Sequence, residues 1–264
     1  MPNPLFDQMK QRSSVRSFIP NKEISDNIQK QLIEAAQMSS SSFNLQTYSI
    51  INIEDKKKRH QIARLSGEQW FINDASLFWI FCVDLYKMVY VTEQASYKYF
   101  QSDFFESTLM GVIDTSLVAQ GVATLAESLG LGICMIGGVR NNIEELIKIL
   151  ELPQKVIPIV GLCIGYPNKK NPPKPRVYSE GVFFKDKYDM NLVKEAINKY
   201  SYNMFSSGYY VNREFPIDEV EVLEYKKEEY GWIHHSARRV STKNINKART
   251  KLKQIFINNN FGFE

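Results

Sequence analysis

Leu109-Met110-Gly111-Val112-Ile113-Asp114-Thr115-Ser116-Leu117-Val118-Ala119-Gln120-Gly121-Val122-Ala123-Thr124-Leu125-Ala126-Glu127-Ser128-Leu129 is the stretch whose reading decides the fold. It is apolar on nearly all sides and rich in Ala and Leu. Its length favours a helix over a strand, and a helix apolar all round belongs in a core. Gly130 supplies the residue that ends it. Asp114, alone among apolar neighbours, is expected in a capped or paired structural role rather than in catalysis. Beyond the glycine, residues 133–136 read as a strand.

Working outward, Ser25 is a helix N-cap, with Ile28, Leu32, Ile33 and Ala36 following at helical spacing. That helix should stop near Met38, because the four serines at 39–42 favour a loop. Residues 48–53 read as a short strand and 77–83 as a buried one, rich in aromatic and branched side chains. Asn142 and Glu145 resemble a capping box, opening a helix that stops before Pro153. Residues 156–164 form another buried strand. A loop rich in Pro, Asn and Lys covers 166–175. Periodicity weakens over 177–240, and 242–257 is a basic helix candidate. Alternating strands and helices in the first two thirds give an α+β or α/β class with one central sheet.

The 264 residues are 44% hydrophobic and 23% charged, with a formal net charge of +4. That composition is globular, and its mild, interspersed charge argues against a dedicated nucleic-acid binder. A nucleic-acid reading would rest on Arg12, Arg16 and the basic residues Lys243, Lys247, Arg249, Lys251 and Lys253, which lack an interleaved stacking platform. Cys82, Cys134 and Cys163 sit in apolar runs, as buried thiols of a reducing compartment would. His60, His234 and His235 show no ligand spacing with them, so no metal is expected. No signal peptide is expected, the most apolar windows read as too short for a bilayer, and the default location is cytoplasmic.

Four segments compete for function. Arg12-Ser13-Ser14-Val15-Arg16 sets two guanidinium forks and two hydroxyls in five residues, a pattern suited to phosphate oxygens. Ser39 to Gln46 is a hydroxyl and amide loop leading into a strand. Met135-Ile136-Gly137-Gly138 ends a strand on paired glycines, which let backbone N–H groups approach a flat ligand. Lys174-Pro175-Arg176 is a second cationic cluster. Each segment alone also reads as ordinary loop or surface. The sequence holds no P-loop, no GxGxxG, no GxSxG elbow and no HExxH. With no acid–base machinery in evidence, a cofactor is expected to carry the reaction.

In this order and spacing the segments resemble the nitroreductase family of flavoproteins, with the closer likeness to the oxygen-insensitive NADPH nitroreductase and FMN reductase branch. The likeness rests on residues 12–18 and 39–43, 78–84, 126–132, Ile136-Gly137-Gly138-Val139-Arg140-Asn141-Asn142, 161–167 and Lys174-Pro175-Arg176. It covers about residues 5–180. It implies an α+β fold with a central, mostly antiparallel sheet flanked by helices. It also implies an intertwined homodimer, with residues 1–180 as an FMN-binding core and 181–264 as an extension packing on the core or the partner subunit. The long apolar helix would then be the dimer-interface helix.

The resemblance implies that Arg12, Ser13, Ser14 and Arg16 bind the FMN phosphate, completed by Lys174 and Arg176. Ser40, Ser42 and Gln46 would come from the other subunit, Gln69 would hydrogen-bond the flavin ring, and Met135, Ile136, Gly137 and Gly138 would lie along it. The implied activity is a ping-pong, two-electron reduction of nitroaromatics, quinones or free flavin by NADPH or NADH. The alternative is a flavin-binding or regulatory module without nicotinamide turnover. Two departures stand out: Asn44 is an extra residue after Phe43, and the stretch from Phe205 to Arg213, where the NADPH-preferring branch carries arginines, offers only Arg213. A preference for NADPH is therefore not implied, and NADH serves as well on this reading.

Overall fold

The computed structural model describes residues 3–98, 103–210, 230–240 and 249–264. They form two compact units, Met1–Pro173 with Arg249–Glu264, and Lys174–Ala248. The first is built on a four-stranded sheet of β1 (Tyr48–Asn52), β2 (Leu77–Asp84), β3 (Gly132–Ile136) and β4 (Val156–Gly165), in the order β1-β2-β4-β3. Every neighbouring pair is antiparallel. The class is α+β.

All eight residues of β2 are buried, because the strand is central and both sheet faces are covered. Alternation sends Phe78, Ile80 and Cys82 to one face and Leu77, Trp79 and Phe81 to the other. The first face packs on Ile62 and Ala63 of α3 (Lys56–Leu65) and on Leu146 of α6 (Ile143–Ile149). The second packs on α2 (Asp26–Gln37) and α5 (Phe105–Ser128) through Leu32, Ala36, Val118, Val122 and Ala126. Pro158 stands inside central strand β4, where a proline removes a ladder donor. The register shifts there, Phe81 pairing with Val160 and Cys82 with Pro158, so the chain absorbs the proline as a bulge.

Helix α5 runs through the predicted span and begins four residues earlier. It ends at Ser128, with Leu129 as its C-cap and Gly130 at φ +78° beyond it. Its length and composition suffice to cross a bilayer, which corrects the expectation that every apolar window is too short; half of that window is buried within the protein. Two glycines set its neighbours. A Cβ on Gly111 would stand 2.4 Å from Val83 Cγ1, and one on Gly121 would stand 2.8 Å from Ser39 Oγ. The helix therefore lies tight on β2 at one point and tight under the end of α2 at the other.

Helices α1 (Pro4–Lys10) and α4 (Tyr86–Gln94) complete the surface. The closing residues pack α9 (Leu252–Asn258), through Ile255 and Phe256, against Ile143, Ile157 and Ile159. Thr108 Oγ1 donates to Gly262 O, 3.0 Å, and Phe105 N–H donates to Glu264 O, 3.2 Å, so the last residues satisfy the start of α5. The basic helix expected over 242–257 is described only from residue 249, and Lys243 and Lys247 lie outside the described residues. The second unit holds α7 (Met190–Ser206) and α8 (Trp232–Val240) around Tyr200, Met204, Tyr210 and Tyr230. Asp189 caps α7 through the N–H groups of Asn191 and Leu192. Asn142 corrects the capping-box reading. It precedes α6, but its Nδ2 donates to Leu65 O, 2.9 Å, and makes no cap bond.

Gly111→Val should overpack the α5–β2 contact and cost about 1–3 kcal/mol. The check is thermal unfolding, where a loss on that scale lowers Tm by roughly 2–4 °C per kcal/mol.

Candidate functional site

The Arg/Ser segment is a strap along the sheet's edge. Val15 is fully buried and its N–H donates to Ile133 O, 2.9 Å. It presses on Gly132, where a Cβ would meet Val15 Cγ2 at 2.7 Å. Farther along, Phe18 bridges to Pro167 and Ile19 N–H donates to Tyr166 O, 2.9 Å. The strap is thus tied both to β3 and to the exit of β4. Extended backbone then turns Ser13 and Val15 inward and leaves Arg12, Ser14 and Arg16 on the more open side.

Arg12, Ser14 and Arg16 gather around Cys134. Burial pushes that thiol up, while Arg16, Arg12 and a hydrogen bond with Ser14 pull the other way. Arg12 Nε lies 3.5 Å from Glu127 Oε2, near the end of α5. Burial raises the Glu127 carboxyl against the opposing pull of Arg12 and Lys170. Three cations and one carboxylate leave the cluster net positive. Ser13 Oγ is buried without a hydrogen-bond partner, and the buried Arg12 Nε has only its long contact with Glu127. Buried donors left in this state are a cost that an incoming acceptor would remove.

The other end of β3 carries the paired glycines. Ile136 is fully buried in the core on one sheet face, and Met135 packs on the opposite face. Gly138 is pressed against the turn that follows α3. A Cβ there would stand 2.1 Å from Ser66 O and 2.5 Å from Gln69 Nε2. Gln69 Nε2 donates to Ser66 O, 2.8 Å, which holds the amide beside Gly138. Ser66 Oγ is buried without a partner. Gly137 and Val15's partner Ile133 are four residues apart, about 13 Å of strand.

The serine loop lies over α5. Asp114, 1% exposed, accepts from Ser42 N–H at 2.9 Å, Ser42 Oγ at 3.1 Å and Thr47 Oγ1 at 3.0 Å. The expectation of a paired structural role for Asp114 is met by this loop. Ser40 and Gln46 are exposed, and Phe43 is 89% exposed. Lys174 and Arg176 belong to the second unit. There Lys174 Nζ lies 5.5 Å from the Tyr209 ring centre, and Arg176 Nη1 donates to the carbonyls of Lys174 and Pro175. Arg213 lies outside the described residues.

The structure therefore groups Arg12, Ser13, Ser14 and Arg16 at one end of β3, and Gln69, Gly137 and Gly138 at the other. It adds Glu127 and Ser66, which were not singled out in the sequence. Glu127 sits in the last turn of α5, and nothing in its neighbourhood in the sequence points to Arg12. Nothing local marks Ser66, whose role arises only where its turn meets Gly138.

Glu127 also makes a pH prediction. Its folded pKa is raised from the ordinary 4.5. Between those values the folded protein holds a proton that the unfolded chain has lost, so this group's contribution to stability falls as pH rises through the interval. Urea unfolding of wild type and Glu127→Gln should show the wild type losing ground to the variant from about pH 4.5 upward. A pH-independent difference would contradict it.

A family model described as "Nitroreductase family" matches residues 9–166. An "NADPH-dependent oxidoreductase" of Staphylococcus haemolyticus is 36% identical, covering 81% of this chain and 85% of the relative. The "FMN reductase (NADPH)" of Bacillus subtilis is 32% identical, covering 80% and 85%. The solved structure of NfrA2 from B. megaterium superposes with a TM-score of 0.88 at 28% identity, covering all of both chains.

Proposed function

The chain belongs to the nitroreductase family, and we infer from this that it is an FMN-dependent NAD(P)H oxidoreductase delivering two electrons to a small-molecule acceptor. The observation that carries the reading is the pair of features at the two ends of β3. Two arginines, a lysine and the buried Ser13 hydroxyl lie at one end, and Gly138, with no room for a side chain, lies at the other. That spacing suits a ligand with a phosphate at one end and a flat ring at the other, so the residues fit FMN.

When bound, FMN would supply the two-electron hydride chemistry, which amino-acid side chains do not carry. Arg12, Ser13, Ser14 and Arg16 would bind the phosphate, with Arg12 steadied by Glu127. Lys174 and Arg176 are assigned to the same anion on the family likeness. Gln69, aligned by Ser66, would donate to the ring, and Met135, Ile136, Gly137 and Gly138 would offer backbone N–H groups beside it.

Ser40 and Gln46 are assigned to the site of a second subunit, whereas Ser42, expected there too, spends its N–H and hydroxyl on Asp114 and would support the loop instead. In support, α5 exposes Leu109, Ile113 and Leu117 four residues apart, and α1 exposes Leu5, Phe6 and Met9. A homodimer would cover both stripes. The relatives named above are described as NADPH-dependent, which supports NADPH as donor. Three buried free cysteines favour a reducing, cytoplasmic location. Nitroaromatics, quinones and free flavin are the proposed acceptors.

Anaerobic titration with NADPH and NADH in parallel tests this reading. The purified protein should be yellow, and one or both nucleotides should bleach it stoichiometrically. Bound flavin that neither nucleotide bleaches would favour a module without turnover, and a colourless protein that takes up no FMN would sink the assignment. Arg16→Ala should weaken FMN binding by about 1.5–3 kcal/mol, roughly 10–100-fold in Kd.

A further inference from the structure

We propose that Asp114 is a positioning residue that holds the 39–47 loop in its binding shape from beneath, through α5. The inference rests on the flavin reading above, since it concerns the loop assigned to the cofactor.

The loop runs down one face of α5. Ser39 lies over Gly121, and Ser42 and Thr47 close on Asp114 two turns away. Positions 114 and 121 share a face at i, i+7. Gly121 admits the loop and Asp114 binds it. At its far end Lys87 donates to the carbonyls of Gln46 and Tyr48. Between these anchors Phe43, Asn44 and Gln46 adopt φ of 51°, 57° and 54°. Such left-handed residues persist only where surrounding structure imposes them. Asp114 imposes it: a carboxylate offers acceptor sites only, and here three donors from the loop fill them. Its burial is tolerable because the loop is there, and the loop holds its shape because the carboxylate is there. Ser40, Phe43 and Gln46 are left pointing outward, the arrangement required of groups presented to a ligand outside their own core.

Asp114 is not a catalytic residue, because it touches only the loop. Asp114→Asn keeps the shape but replaces one acceptor oxygen with a donor, which cannot accept from Ser42 or Thr47. FMN Kd, measured by fluorescence quenching well below Tm, should rise at least about tenfold, and amide exchange across 39–47 should quicken. Thr47→Val removes one of the three bonds and should give a smaller rise. Gly121→Val displaces Ser39 with Asp114 intact and should also weaken FMN. A variant with lower Tm but unchanged Kd and unchanged loop exchange would reduce Asp114 to a stability residue and overturn the proposal. If Asp114→Asn fails to fold, Thr47→Val and Gly121→Val decide the matter by the same two readouts. Wild type that binds no FMN would sink the flavin reading alone, and amide exchange would still test the anchor.

Discussion

Helix α5 lies against β2 at a distance that Gly111 sets, since a methyl group there would stand 2.4 Å from Val83. From that contact follow the depth at which Asp114 sits, the height at which Gly121 meets Ser39, and the direction in which Leu109, Ile113 and Leu117 face. The helix is amphipathic in no ordinary sense. One face is buried in its own sheet, a second holds a polar anchor, and a third is apolar and open. A single rigid element therefore connects the core, the serine loop and the surface proposed as a subunit interface.

The strap at 12–19 is a second consequence of close packing. Gly132 lets Val15 seat on β3, and the hydrogen bond to Ile133 sets the register that turns Arg12, Ser14 and Arg16 to the same side. Two guanidinium groups held on one side, with Lys170 nearby, repel one another unless an anion or carboxylate answers them. Glu127 answers Arg12 in part. The Arg16 guanidinium remains exposed on that side, where an anion would answer it.

The strands were legible because their alternation and branched residues are strong: 77–83 and 156–164 come within one residue of β2 and β4. Helix α3 escaped notice because its run of Lys56, Lys57, Lys58 and Arg59 hides a buried pair, Ile62 and Ala63. Asn142 misled because a distant carbonyl, Leu65 O, competes for its amide. The core of the second unit is built on Tyr200, Tyr210 and Tyr230 rather than on aliphatic side chains, which blurs the apolar stripe of α7.

Taken alone, the sequence determined a single central sheet with helices, the long core helix and the candidate segments, because hydrophobic period, glycine placement and cation spacing are local properties, whereas the antiparallel pairing that makes the class α+β is not. The tertiary structure decided which of these segments share a place. Arg12 meets Glu127 across 115 residues, Ser42 meets Asp114 across 72, and Gly138 meets Ser66 across 72. No local pattern encodes such meetings. They depend on where close packing of α5 and the sheet brings the chain back upon itself, and on which buried polar atoms then find partners.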